Sequence, residues 1–306
     1  MIKVQPAQRT LSFLVPPGTS YVDLAAALSA VNRRFYRQGM QYAVTGVDFV
    51  FEGKPGAADF IHLAASTAGS TWVVHNAWKK AQATWLAQQR DSRKAAGAFI
   101  KPAYEDFKVY LDDTHRTGTT CTLLAGDGGT VMAGEWEYSK FVYSTDADAG
   151  LLEPNLHIIG GDVSTSDVGI VEAYEESRST VQSPDPNAPA TASHSIYSLM
   201  STNVNEVADE VIQNQETEND QTPYDLDEYP GGETNSDSAW VQSWAVASAG
   251  LPTATLPGFN AQCGLIKFDL SGNEADASDT TPPPVLVMVH LAPGPYKGVL
   301  AEPMGQ

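Results

Sequence analysis

Residues 41–51 alternate as a half-buried strand does. Ala43, Thr45, Val47, Phe49 and Phe51 fall on one side, and Tyr42, Val44, Gly46, Asp48 and Val50 on the other. A period of two belongs to a strand, and the mostly apolar first set predicts the buried face. Residues 10–15, 60–65, 107–111, 121–124, 134–143, 156–159, 240–247, 262–270 and 285–291 also read as strands, with Gly, Asp, Pro and Thr clusters between them. Residues 285–291 are nearly all apolar, which predicts a central strand. The core strands are expected at 10–15, 41–51, 134–143, 262–270 and 285–291. Eight to ten strands without a βαβα rhythm exclude a doubly wound sheet, and no period of 20–50 residues signals a solenoid or propeller. The expected fold is mainly β: an antiparallel two-sheet sandwich or jelly roll with short helical insertions and long loops.

Two insertions read as helices. Thr19 or Ser20 can cap one, with Asp23 in its first turn and Leu24, Ala27, Leu28 and Val31 on one face. Residues 71–90 form the stronger one, with Val74, Trp78, Ala81 and Trp85 spaced 4-3-4. Residues 168–181 read either as an amphipathic helix or as an irregular segment.

The 306 residues are expected to form one domain. Within it, the acidic stretch 183–238 reads as a surface insertion, and 292–306 as an extended C-terminal tail. Val204, Val207, Ala208, Val211 and Ile212 suggest a short helix in the insertion. The most apolar stretches, 23–31 and 285–292, are far shorter than the roughly 20 residues of a membrane helix. No membrane association is therefore expected; the first residues carry no apolar signal region, so any entry into a compartment would use a route other than an N-terminal signal. Cys121 and Cys263 read as small core residues rather than as a disulfide.

Net charge is −19 and unevenly spread. Residues 1–150 hold 15 Lys and Arg against 14 Asp and Glu; residues 151–306 hold 3 against 23. No Lys or Arg lies between Arg178 and Lys267. Such a split suggests two faces with different tasks, and is also what a well-solvated acidic surface would give.

A search for catalytic patterns selects nothing. No phosphate-binding Gly-rich loop with its Lys, no Gly-x-Ser-x-Gly and no His-Glu-x-x-His occurs. His62, His157 and His290 sit in apolar strand patterns and read as structural. The pairs Glu105-Asp106, Asp112-Asp113, Glu175-Glu176 and Asp227-Glu228 lack EF-hand spacing and read as solvated surface. No cofactor is expected, with calcium at subunit contacts the one open case. Enzymatic activity is not expected either.

The positive residues cluster instead. Arg33, Arg34, Arg37, Lys79, Lys80, Arg90, Arg93 and Lys94 could together neutralise phosphates, with Phe35, Tyr36 and Trp85 nearby to stack on single-stranded bases. Residue by residue, each also reads as ordinary surface or core.

Four phrases carry a resemblance: His75-Asn76-Ala77-Trp78-Lys79-Lys80-Ala81, Glu135-Trp136-Glu137-Tyr138-Ser139-Lys140-Phe141-Val142, Tyr174-Glu175-Glu176-Ser177-Arg178 and Tyr229-Pro230-Gly231-Gly232. Over about residues 60–235 the chain resembles the capsid proteins of small circular single-stranded DNA viruses of the Rep-encoding type. The resemblance implies a viral jelly roll that self-assembles into an icosahedral shell around a DNA genome. Its partners would be copies of itself, single-stranded DNA and a host receptor, and its place the virion, assembled inside the host cell. One departure stands out. Many such proteins begin with an Arg-rich arm, whereas residues 1–20 hold only Lys3 and Arg9. Genome packaging would then need the inward face of residues 30–101, bound cations, or both. The competing expectations are a β-sandwich spike or surface adhesin that binds a receptor or glycan, and a hydrolase with paired carboxylates.

Overall fold

The computed structural model describes residues 7–51, 60–97, 102–132, 134–142, 151–160, 166–176, 240–248, 250–273 and 282–305. The acidic stretch 183–238 lies outside the described residues. The chain is mainly β, with antiparallel curled sheets and few helices.

In chain order, the elements are β1 (Thr10–Val15), β2 (Gly18–Asp23), α1 (Leu24–Asn32), β3 (Met40–Val50), β4 (Phe60–Thr67), α2 (Trp72–Ala95), β5 (Thr119–Thr120), β6 (Thr122–Leu124), β7 (Asn155–His157), β8 (Asp167–Gly169), α3 (Ile170–Glu176), β9 (Trp240–Ser248), β10 (Thr253–Ala261), β11 (Leu265–Asn273), β12 (Val285–Leu291) and β13 (Ala301–Pro303). One sheet runs β10-β3-β12-β1-β6, with β13 also on β3; a second runs β5-β2-β11-β4-β9. The long strands pair antiparallel throughout, and β12 sits centrally, as its apolar run predicts.

One apolar cluster takes side chains from both sheets. Leu11, Phe13, Val47, Phe49, Val287 and Val289 come from the first, and Val22, Ile61, Leu63, Ile266 and Phe268 from the second. Each strand contributes alternate residues, so the pleat decides who is inside.

The alternation of β3 changes phase midway. Tyr42 and Val44 are buried, then Val47 and Phe49, while Thr45 is exposed. Opposite β12 the register slips between His290 and Leu291, so Thr45 is an extra residue in the pairing. A bulge flips every side chain beyond it, which is why Ala43 and Thr45 are not on the inner face that strict alternation predicts.

Several expected elements are corrected. Thr19 and Ser20 lie in β2 rather than at a helix cap, and Asp23, expected in the first turn, itself caps α1 by accepting from the amides of Ala25 and Ala26. The expected core strand 134–143 is not a strand: among its described residues only Lys140 makes a bridge, to Asn155. Its Trp136 and Tyr138 are bonded by side chain to Asp23, so the backbone follows those anchors rather than a ladder. Residues 107–111 likewise form no strand and make a single bridge, Tyr110 to His157. Gln262 to Gly264 form a tight turn before β11, while β10 is a full strand that the sequence pattern concealed.

The excursion between β4 and β9 builds a second core. Val73, Val74, Ala77, Trp78 and Trp85 of α2 pack with Phe107, Val109, Leu111, Leu156, Ile158 and Val171. Tyr21 and Leu265 join this cluster, while their neighbours Val22 and Ile266 join the first. Strands β2 and β11 are thus covered on both faces. Residues 292–305, expected as an extended tail, lie along the body: β13 pairs with residues 40–42, and Met304 is buried beside α2.

Candidate nucleic-acid interface

Asp23 organises the start of α1. Its Oδ1 accepts from the amides of Ala25 (2.9 Å) and Ala26 (3.0 Å). Its Oδ2 accepts from Gln38 Nε2 (3.0 Å), Trp136 Nε1 (2.9 Å) and Tyr138 OH (3.4 Å). Burial raises the carboxyl pKa, and the hydrogen bonds oppose that rise.

Gln38, fully buried, extends the network. Its amide donates to Asp106 Oδ2 (2.9 Å), its Nε2 donates to Val109 O (2.9 Å), and its Oε1 accepts from Val109 N (2.6 Å). Burial also raises the Asp106 pKa. The network ties the turn after α1 to residues 106–109 and 136–138, three stretches with no shared secondary structure.

Between these stretches lies a cleft of about 570 Å³, lined by Arg33, Arg34 and Phe35, by Pro102, Ala103 and Tyr104, and by Lys108, Glu135, Trp136 and Glu137. Arg33 closes α1 in the left-handed conformation, at φ 54° and ψ 38°. Glycine is the ordinary residue there, and any other costs about 1–2 kcal/mol. Lys108 is only 8% exposed. Its ammonium lies 4.5 Å from the centre of the Trp136 ring and donates to Glu137 O (3.2 Å). Phe35 touches both Tyr104 and Trp136, with ring centres 5.5 and 6.1 Å apart.

Of the eight basic residues singled out in the sequence, the structure brings only Arg33 and Arg34 into this cleft. Arg37 pairs with Asp106 at 3.5 Å and lines a neighbouring cleft of about 360 Å³ with Glu105 and Trp85. Arg93 binds Glu105 at 2.8 Å. Lys79 donates to Gly305 O at 2.9 Å, and Lys80 lies 5.5 Å from the Tyr174 ring centre. Arg90 pairs with Asp91 at 3.5 Å, and Lys94 is exposed near the end of α2. The sequence reading missed Lys108, Tyr104 and Trp136. The one signal was the aromatic-acidic phrase 135–138, read there as strand.

A second cavity of about 520 Å³ lies on the other side of Trp136, with Tyr21, His115, Cys121 and Tyr138 in its lining. His115 stacks on Tyr21 at 4.4 Å, and its Nδ1 accepts from Leu111 N at 3.0 Å. Burial pushes its pKa down to about 4, so the ring is neutral at pH 7. Burial pushes the Cys121 thiol up to about 11, so it is no thiolate. Asp112 accepts from Tyr21 OH, Thr114 Oγ1 and the His115 amide, and pairs with Lys267 at 3.2 Å. Among the described residues no three His, Cys, Asp or Glu side chains gather as a metal site.

His290 bridges Thr10 and Asp48 across the first sheet, and His157 Nδ1 bonds Ile159 O. No protein-family model matches this chain, and no curated protein or solved structure matches it either.

Proposed function

We propose that this chain is a structural capsid protein, not an enzyme. It assembles with copies of itself into an icosahedral shell around a small single-stranded DNA genome, forming a virion inside the host cell. Strand order carries the reading. Numbered along the chain, the eight long strands β1, β2, β3, β4, β9, β10, β11 and β12 fall into sheets ordered 1-8-3-6 and 2-7-4-5. That order is the one a two-sheet jelly roll has, the architecture that viral capsid and lectin domains share. The helical insertions follow the second and fourth strands, so both leave the sheets' pairing intact.

A second feature supports assembly. On β9, the edge strand of the second sheet among the described residues, Trp244 is 62% exposed beside exposed Val246, Phe60 and Leu251. An apolar cluster on an edge strand suits burial against another copy.

Electron microscopy of the purified protein tests the proposal. Closed particles of uniform diameter are expected; a persistent monomer or small ring at high concentration would overturn it. One observation favours the adhesin reading: Glu135 and Glu137 beside three aromatic rings also suit a sugar. A discrete trimer that binds glycans would establish that reading in place of the capsid.

A further inference from the structure

We propose that the cleft between Arg33, Tyr104 and Trp136 seats a single nucleotide of single-stranded nucleic acid, stacking its base on the aromatic wall and holding its phosphate with arginine. This rests on the reading of the protein as a container for single-stranded DNA.

The wall is the first argument. Tyr104, Phe35 and Trp136 form an unbroken series of rings, tilted 56° and 53° to one another. Tyr104 is 69% exposed, so its ring contributes little to either core. An exposed ring at the mouth of a cleft is what a base stacks on, and stacking tolerates any base because each has a π face.

Charge is the second argument. In a chain of net −19, three of the five charged side chains that line the cleft, Arg33, Arg34 and Lys108, are cations. The Arg33 guanidinium has no hydrogen-bond or ion-pair partner among the described residues. Lys108 bonds a neutral carbonyl and an aromatic face rather than a carboxylate. By contrast, Arg37, Arg93 and Arg90 are each paired with an acid, and Arg34 too has a partner, so Arg33 is the guanidinium the cleft leaves for a phosphate.

Backbone cost is the third argument. Arg33 occupies the left-handed position where glycine would fit without strain, and its side chain lines the cleft. A strained non-glycine residue at a cleft points to a task for the side chain.

The two acids refine the ligand. Glu135 and Glu137 repel phosphate but accept hydrogen bonds from exocyclic amines, as carboxylates do with cytosine N4. The cleft therefore prefers cytosine or adenine to thymine, with the phosphate towards the arginines. At about 570 Å³ it lies within the range of small-ligand sites.

The test uses the full chain and fluorescein-labelled oligo(dC) and oligo(dT) of about 12 nucleotides, within the range of known single-strand sites. Anisotropy is read at low salt. Tyr104→Ala is expected to weaken oligo(dC) binding by roughly 5-fold or more, the contribution of one stacked base. Arg33→Gly removes the guanidinium while relieving the backbone, so it weakens binding without lowering thermal stability. Arg116→Ala, at a cation outside the cleft and paired with Asp167, is expected to bind as the parent does. Equal binding by the parent, Tyr104→Ala and Arg33→Gly overturns the site, as does inorganic polyphosphate competing as well as oligo(dC). Displacement by a glycan and not by oligo(dC) also overturns it. Particle formation is scored separately by microscopy. Shells with an unresponsive cleft refute the nucleotide site alone, and a responsive cleft without shells refutes the capsid alone.

Discussion

Trp136 Nε1 donates a hydrogen bond of 2.9 Å to Asp23 Oδ2, joining an irregular segment to the cap of α1 across 113 residues of sequence. The same carboxylate caps the helix and takes Gln38 and Tyr138. A buried carboxylate with this many donors is costly to desolvate and costlier to remove, because each donor then loses its partner.

Asp23→Asn is therefore expected to destabilise the fold by about 2–4 kcal/mol, since the amide nitrogen would face donors rather than accept from them. Denaturant unfolding measures it. A loss below the worth of a simple helix cap, about 1 kcal/mol, would show that the network is not a single unit. The cleft should also lose its shape, because Trp136 and residues 106–109 hang from the same hub.

Acid sensitivity follows from His115. Its pKa is held near 4 in the folded chain, against 6.5 for the free side chain. Between those values the unfolded chain binds the proton and the folded chain does not, so stability rises with pH through that window and falls on acidification. The full difference corresponds to about 3 kcal/mol, as an order of magnitude. Burial raises Asp23 and Asp106 above the ordinary 3.8, and their contribution falls as pH rises, opposing the histidine at the acid end. His115→Phe is expected to flatten the stability profile between about pH 6.5 and 4. At pH 7 it should be less stable than the parent, because Leu111 N loses its acceptor. Urea unfolding across pH reads both effects, and an unchanged slope would refute the assignment.

Much of the sheet framework is legible in the sequence, for a local reason. Strands β1, β4, β9 and β12 carry their burial in their own composition or alternation, and α2 carries its stripe of Val74, Trp78 and Trp85. What fails is non-local. Strand β10 holds Pro257 and Gly258, which read as breakers until its partner β3 is known. Residues 134–143 read as strand from their aromatic and apolar content, yet the partner of Trp136 and Tyr138 is a carboxylate rather than a neighbouring strand. The cleft shows the same limit. Arg33 and Arg34 stand out as a run, whereas Lys108 and Tyr104 gain meaning only when Gln38 and Asp106 bring their segment to α1.

Gly258 lies where β10 passes the bulge of β3. A Cβ there would sit 2.6 Å from Val44 O and 2.8 Å from Thr45 O, both backbone atoms that cannot swing aside. Gly258→Ala is expected to cost about 1–3 kcal/mol, the range for overpacked sites. Thermal unfolding measures the loss, and an unchanged midpoint would mean that the bulge can relax.

The last expectation separates assembly from folding. Trp244 and Val246 lie on the outer face of β9, opposite Ala64 and His62 of β4, and the His62 and Trp244 rings are 5.4 Å apart. Their exposure means that neither core depends on them. Exposed substitutions away from special features move stability by about 0.5 kcal/mol or less. Burial against another copy would instead yield about 25 cal/mol for each Å² of apolar surface covered, and a shell repeats the contact at every subunit. Trp244→Ser with Val246→Thr is thus expected to leave the unfolding midpoint of the unassembled chain nearly unchanged while raising the concentration needed for particles severalfold. Light scattering against protein concentration, paired with a thermal melt of the unassembled fraction, reads the two quantities independently. Particles that form at the parent's concentration would remove this face from the subunit contacts and leave the order of the strands in the two sheets as the remaining support for the proposed shell.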